Sequence, residues 1–331
     1  MRIGLPRILI HHYRYLPLFA GFFRETGCEI VFSPPTNKGL VERGIASTVD
    51  DACLPLKVAF GHLHALVEAA VDYIFLPRLV SLEPGSSLCP KFIGLPDMAR
   101  SCVDVDLPLL SPTADVNRHE GGLLETLSKA GLELGLDDAT ISRAVDRAET
   151  DQAAFRAACL SGKDPGALLE AVEHQRDYHP PAQGDELELR VVGRSYLLFD
   201  PGSSLDLLGK LRAMGCRVLT HEAVDHSTID RELAGLSRPP YWTLGREILG
   251  SASFFLRSPD VDGLVFVPPF QCGPASLLET LIEAQSRKHP LKPYTALVLD
   301  EHTGEAGLLT RLEAFLDMIR RRKRREGLND R

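Results

Sequence analysis

Apolar positions in this chain follow two patterns: short near-continuous runs of strand length, and longer stretches with apolar residues at helical spacing. The patterns recur in the same order in both halves. Arg2-Ile3-Gly4-Leu5 predicts a strand, Tyr13 to Thr26 a helix, and Gly27-Cys28-Glu29-Ile30-Val31-Phe32 a second strand, together one β-α-β unit. Downstream, Arg190-Val191-Val192-Gly193 predicts a strand, Leu205 to Met214 a helix, and Gly215-Cys216-Arg217-Val218-Leu219 the next strand. Arg2 to Cys28 and Arg190 to Cys216 each span 26 positions, and each second strand opens with Gly-Cys, so the units read as copies of one element. The copies continue in Val71 to Pro77 and Val261 to Pro268, apolar runs that end in proline and suit parallel strands covered on both faces.

Between the copies, residues 119–177 are rich in Ala, Leu, Glu and Asp at helical spacing, and Tyr178 to Asp185 carries the prolines and glycine of a boundary. The expected architecture is α/β: two Rossmann-like or flavodoxin-like parallel-sheet lobes, 1–118 and 185–331, joined by a helical connector, 119–184. In such sheets, ligands gather beyond the carboxyl ends of the strands. A chain of 331 residues, 44% hydrophobic and 25% charged, has ample core for two lobes.

That edge rule ranks the seven cysteines. Cys28 and Cys216 open strands at the opposite edge and are expected as small buried hydrophobes, as are Cys102 and Cys159 in helical stretches. Cys89 and Cys272 each follow a proline-ended strand, and Cys53 precedes Leu54-Pro55-Leu56-Lys57, where Pro55 suits a first helical turn. Cys272 precedes Gly273-Pro274 at another helix start. Helix N-termini favour thiolate. Three thiolates from separate segments are compatible with an iron–sulfur cluster, with zinc or with no metal, although no closely spaced C-x-x-C pair of the zinc type occurs. A cubane held by three cysteines leaves one iron open, and such a centre belongs in the cleft between the lobes.

Charge and composition narrow the partners. The formal net charge of −8 speaks against nucleic acid, and the basic run Arg320 to Arg325 reads as a solvated helix terminus. No stretch reaches the length of a membrane span, the N-terminus shows no cleavable signal pattern, and the sparse cysteines suit a reducing, cytoplasmic compartment. No phosphate loop of the G-x-x-x-x-G-K-[ST] type is present, so the chain is not expected to be an ATPase.

Ser33-Pro34-Pro35-Thr36-Asn37-Lys38, Asp51 to Lys57, Leu88-Cys89-Pro90-Lys91-Phe92 and Gly304-Glu305-Ala306-Gly307 resemble the 2-hydroxyacyl-CoA dehydratase superfamily, especially its small activase-related proteins and double-cubane relatives. The resemblance implies that Cys53, Cys89 and Cys272 hold a 4Fe–4S cluster, or a double-cubane 8Fe–9S cluster. It also implies an ATP-dependent activase, carrying its own iron–sulfur cluster, as electron donor. In such dehydratases the electron reaches the thioester carbonyl of a 2-hydroxyacyl-CoA and forms a ketyl radical. Two activities follow as expectations, a dehydratase-like lyase or an ATP-dependent reductase component, and the alternative is a non-catalytic cluster-carrying subunit or a zinc-stabilised binding module. A homodimer, or a heterodimer with a related subunit, is the expected assembly. Lys57 and Lys91 are candidates to stabilise the thiolates, and His12 and Glu305, each just beyond a strand at the ligand edge, are candidates for catalysis.

Overall fold

A computed structural model describes residues 1–103, 106–118 and 121–329. The expected first residue of the connector, 119, and the last two residues of the chain lie outside these. Ten strands form three sheets: β1 (Arg2–Leu5), β2 (Glu29–Phe32), β3 (Tyr73–Phe75), β4 (Arg78–Ser81), β5 (Leu109–Leu110), β6 (Thr113–Asp115), β7 (Leu187–Gly193), β8 (Cys216–Thr220), β9 (Gly263–Val267) and β10 (Tyr294–Ala296). The first lobe orders its strands β2-β1-β3-β5 and the second β8-β7-β9-β10, all parallel, so each lobe carries the same 2-1-3-4 winding. β4 and β6 add a small parallel pair.

The duplication is one of topology and not of the 26-residue register. Arg2 pairs with Glu29, whereas Arg190 pairs with Leu219, because β7 begins three residues before Arg190. β7 and β9 are buried along nearly their whole length. β9 runs as a continuous apolar strand, as suits a sheet covered by helices on both faces, whereas β7 also carries Glu188 and Arg190, which pair with each other. The N-terminal helical stretch is also divided, into Leu9–Tyr13 and Leu16–Glu25, with Pro17 in the first turn of the second piece.

Between the lobes the chain forms Leu123–Glu133, Asp138–Leu160 and Pro165–His174. Asp137 and Asp164 each cap the helix that follows by accepting a backbone N–H. These helices do not bridge open space. Gly21 of Leu16–Glu25 lies against Ala148 and Asp151, so the long helix packs directly on the first lobe. One apolar core runs through both lobes, and a second fills the far face of the β7–β9 sheet around Ile248, Phe255, Phe266 and Leu278. Helix Glu305–Asn329 covers that lobe with Leu312, Leu316 and Ile319. Its basic run is partly engaged, Arg320 with Glu186 and Lys323 with Asp262. Among the described residues, no helix is long and apolar enough to cross a membrane.

The lobes meet along a polar seam. Thr36 Oγ1 donates to Asp200 Oδ2 at 2.8 Å and lies 3.0 Å from His62 Nε2, while Ser33 Oγ lies 2.8 Å from His62 Nδ1. With the Thr36 proton committed to Asp200, Nε2 is the protonated nitrogen of a neutral His62. Arg14 donates to Glu247 at 2.6 Å, and buried Lys57 pairs with Glu301 across the same seam.

Candidate functional site

Cys53, Cys89 and Cys272 line one cavity of about 180 Å³ between the lobes. Each occupies the same local position, the residue just before a helix whose first turn contains proline: Leu54–Glu68 after Cys53, Pro90–Ile93 after Cys89, and Gly273–Ser286 after Cys272. Extended backbone at each cysteine turns its side chain toward the exposed N–H groups of the following turn. No side-chain capping hydrogen bond forms: the N–H groups of Leu56 and Phe92 donate to the backbone carbonyls of Cys53 and Cys89, each at 2.9 Å. Helix Leu54–Glu68 is fixed by a close crossing with Lys38–Ala46, where Gly44 faces the Lys57 carbonyl and Gly61 the Leu40 carbonyl. No side chain fits at either contact.

The walls are mainly apolar, from Leu9, Leu56 and Phe92 of the first lobe and Tyr196, Trp242 and Leu244 of the second. Burial pushes the Cys53 thiol up, opposed by Lys91, and it pushes the Cys89 thiol up, opposed by the Phe92 N–H and Arg194. Arg194 was not among the sequence candidates, although it follows β7 at the carboxyl edge where the same strand rule would have pointed. It is 5% exposed, it faces Cys89 and Cys272, and its Nε and Nη1 have no partner. A guanidinium cannot escape that penalty by losing its proton. An anionic group reaching these nitrogens would offset that penalty.

Among the described residues, one trio of metal-type ligand atoms lies mutually within 4.8 Å, and it is Glu83, His226 and Glu247. The sulfurs of Cys53, Cys89 and Cys272 do not form such a group.

The other predicted residues fall at different distances from this centre. Lys91 lines the cavity and donates to the Asp51 carbonyl at 3.2 Å. Lys57 is buried beside it but committed to Glu301. His12 is buried on a second, polar cavity of about 470 Å³ with Arg7, Tyr13, Glu173 and Asp200, and burial holds its imidazole neutral. Glu305 is exposed and meets Lys210 at 3.0 Å. Among the described residues, no histidine or carboxylate lines the cysteine cavity. Cys159 and Cys216 are buried in the cores, and Cys28 accepts from Thr26 Oγ1 at 3.3 Å; none of the three lines the cavity, nor does Cys102.

Comparison with known proteins gives one family. The profile described as CoA enzyme activase uncharacterised domain (DUF2229) matches residues 2–224. The match includes Cys53, Cys89 and Arg194 and stops before Cys272. No curated protein matches the chain. A solved structure described as a sugar-binding protein from Salmonella typhimurium LT2 is similar over 96% of this chain and 87% of that one, at 12% identity and a TM-score of 0.25, too loose to carry any argument.

Proposed function

As the chain belongs to the CoA enzyme activase uncharacterised domain family, we propose that it is an iron–sulfur protein that takes electrons from an ATP-hydrolysing activase and serves low-potential chemistry on a small substrate of the acyl-CoA class. Cys53, Cys89 and Cys272 would hold the cluster, and Arg194 and Lys91 would offset its negative charge. A cluster there would supply one-electron transfer at low potential. The observation that carries this reading is the convergence of three helix-capping cysteines, from both lobes, on a cavity walled by a buried arginine with unpartnered nitrogens.

The surrounding residues have separate tasks. The apolar walls keep water from the thiolates, and low local polarity strengthens every charge interaction inside. Lys57 and Glu301, paired across the seam, hold the N-terminal turn that carries Cys53 against the second lobe. The lack of a histidine or carboxylate on the cavity wall favours an electron-transfer role over acid–base chemistry by this chain.

Anaerobic purification with iron and sulfide analysis, followed by electron paramagnetic resonance of the reduced protein, tests the assignment. Cys53→Ala, Cys89→Ala and Cys272→Ala are each expected to lose or strongly alter the signal. A folded, iron-free protein after anaerobic reconstitution, or unchanged spectra in all three variants, overturns it. Mixing with reduced activase and an acyl-CoA then separates catalysis from electron carriage: reoxidation that depends on the thioester marks catalysis, and reduction without such dependence marks a carrier.

A further inference from the structure

From residues outside the cysteine cavity, we infer that Glu83, His226 and Glu247 form a binding site for a divalent transition-metal cation that clips the two lobes together. Glu83 lies in the loop between β4 and Cys89, His226 opens helix His226–Leu233, and Glu247 stands in helix Thr243–Arg257. One ligand atom from each lies within 4.8 Å of the other two, and His226 Nδ1 is 3.5 Å from Glu83 Oε1, too long for a hydrogen bond. Adjacent ligands on a cation with bonds of about 2.1 Å stand roughly 3 Å apart, so small side-chain rotations close the set.

The second observation is at Glu247. It is 6% exposed, Arg14 holds its Oε2 at 2.6 Å, and Oε1 is buried with no partner. A buried carboxylate oxygen left bare is costly, and a carboxylate fixed through one oxygen while the other stays free is how outer residues orient a metal ligand. His226 is half exposed, which gives an ion a path from solvent. Two carboxylates and one imidazole suit cations of the Mn²⁺, Fe²⁺ and Zn²⁺ series.

The position gives the site a role. Glu83 precedes the segment that carries Cys89, and that segment already meets the second lobe, through Ser86 Oγ to Thr243 Oγ1 at 2.7 Å and Thr243 N to the Ser87 carbonyl at 3.1 Å. A cation on Glu83, His226 and Glu247 pins the same loop to helix Thr243–Arg257, whose first turn supplies Leu244 to the cavity wall.

The test is titration of the full-length protein with Mn²⁺, read by electron paramagnetic resonance, and of the Cys53→Ala/Cys89→Ala/Cys272→Ala protein with Zn²⁺, read by calorimetry. The expected result is one ion per chain, with affinity weakened roughly tenfold or more by Glu83→Gln and by His226→Ala, and a rise in melting temperature with added ion that both variants lose. These substitutions are at solvent-accessible positions, so the fold survives them. Absence of stoichiometric binding by either ion, or equal affinity in the variants, overturns the site and leaves the trio as a polar contact between side chains.

Discussion

Arg194 shows how one residue can carry information about an occupant. A buried guanidinium with two unpartnered nitrogens is unfavourable by several kcal/mol unless an anion meets it. Two opposite effects of Arg194→Met follow. In iron-free protein the substitution removes an uncompensated charge and is expected to raise stability by on the order of 1–2 kcal/mol in urea unfolding. After anaerobic reconstitution the same variant is expected to retain less iron and to melt lower than the parent. A variant less stable than the parent without iron would show that Arg194 is satisfied by the protein alone. The residue was readable in principle, since it directly follows a buried strand, but its hydrogen bond to Cys272 and its two unpartnered nitrogens appear only when its neighbours are placed. The cysteines were easier to rank because a proline-ended strand precedes Cys89 and Cys272 and a proline-marked helix start follows Cys53 and Cys272.

At the level of elements, the site rests on where three helices begin. Helix Leu54–Glu68 can present Cys53 to the cavity only because Gly44 and Gly61 let two backbones cross at contact distance. Gly61→Ala places a methyl group against the Leu40 carbonyl and is expected to cost about 1–3 kcal/mol, with lower iron incorporation as the helix shifts. Gly273→Ala is the control: an added methyl there meets open space, although the residue follows Cys272 directly, so stability is expected to stay within about 0.5 kcal/mol. Equal effects in urea unfolding would argue against the crossing as the determinant. Hydrophobic period identified the helices after Cys53 and Cys272, and Pro55 and Pro274 located their starts; the short helix Pro90–Ile93 was not anticipated. Period did not reveal the glycine crossing, because two glycines in helical stretches have the same local pattern whether or not another backbone lies against them.

Across the whole molecule, the buried seam makes stability depend on pH. Burial holds His11 at a pKa of about 4 and His62 at about 3, against 6.5 when exposed. Between pH 6.5 and about 4 the unfolded chain therefore binds protons at both sites that the folded chain does not, and stability falls as pH falls. Burial raises the Asp200 carboxyl, which opposes this slope because the folded chain then holds a proton that the unfolded one releases. Glu222, held at about 2 against burial by Arg14, His221 and Arg156, adds a further loss below pH 4.5. Urea unfolding from pH 7 to 4 is expected to show declining stability, with a shallower slope in His11→Gln; an unchanged slope would remove His11 as a contributor. The sequence by itself determined the α/β class and the twofold repeat of parallel units, and it grouped Cys53, Cys89 and Cys272, which line one cavity, apart from four cysteines that do not, two of them buried and Cys28 and Cys102 half-buried, because hydrophobic period, prolines and strand edges are local and survive without neighbours. Only the tertiary structure decided that His12 and Glu305 stand apart from the cysteine cavity, that Lys57 belongs to the seam and that Arg194 and Glu247 each keep a buried polar atom without a partner. Those properties depend on distance and desolvation between segments far apart in the chain, which no local pattern records.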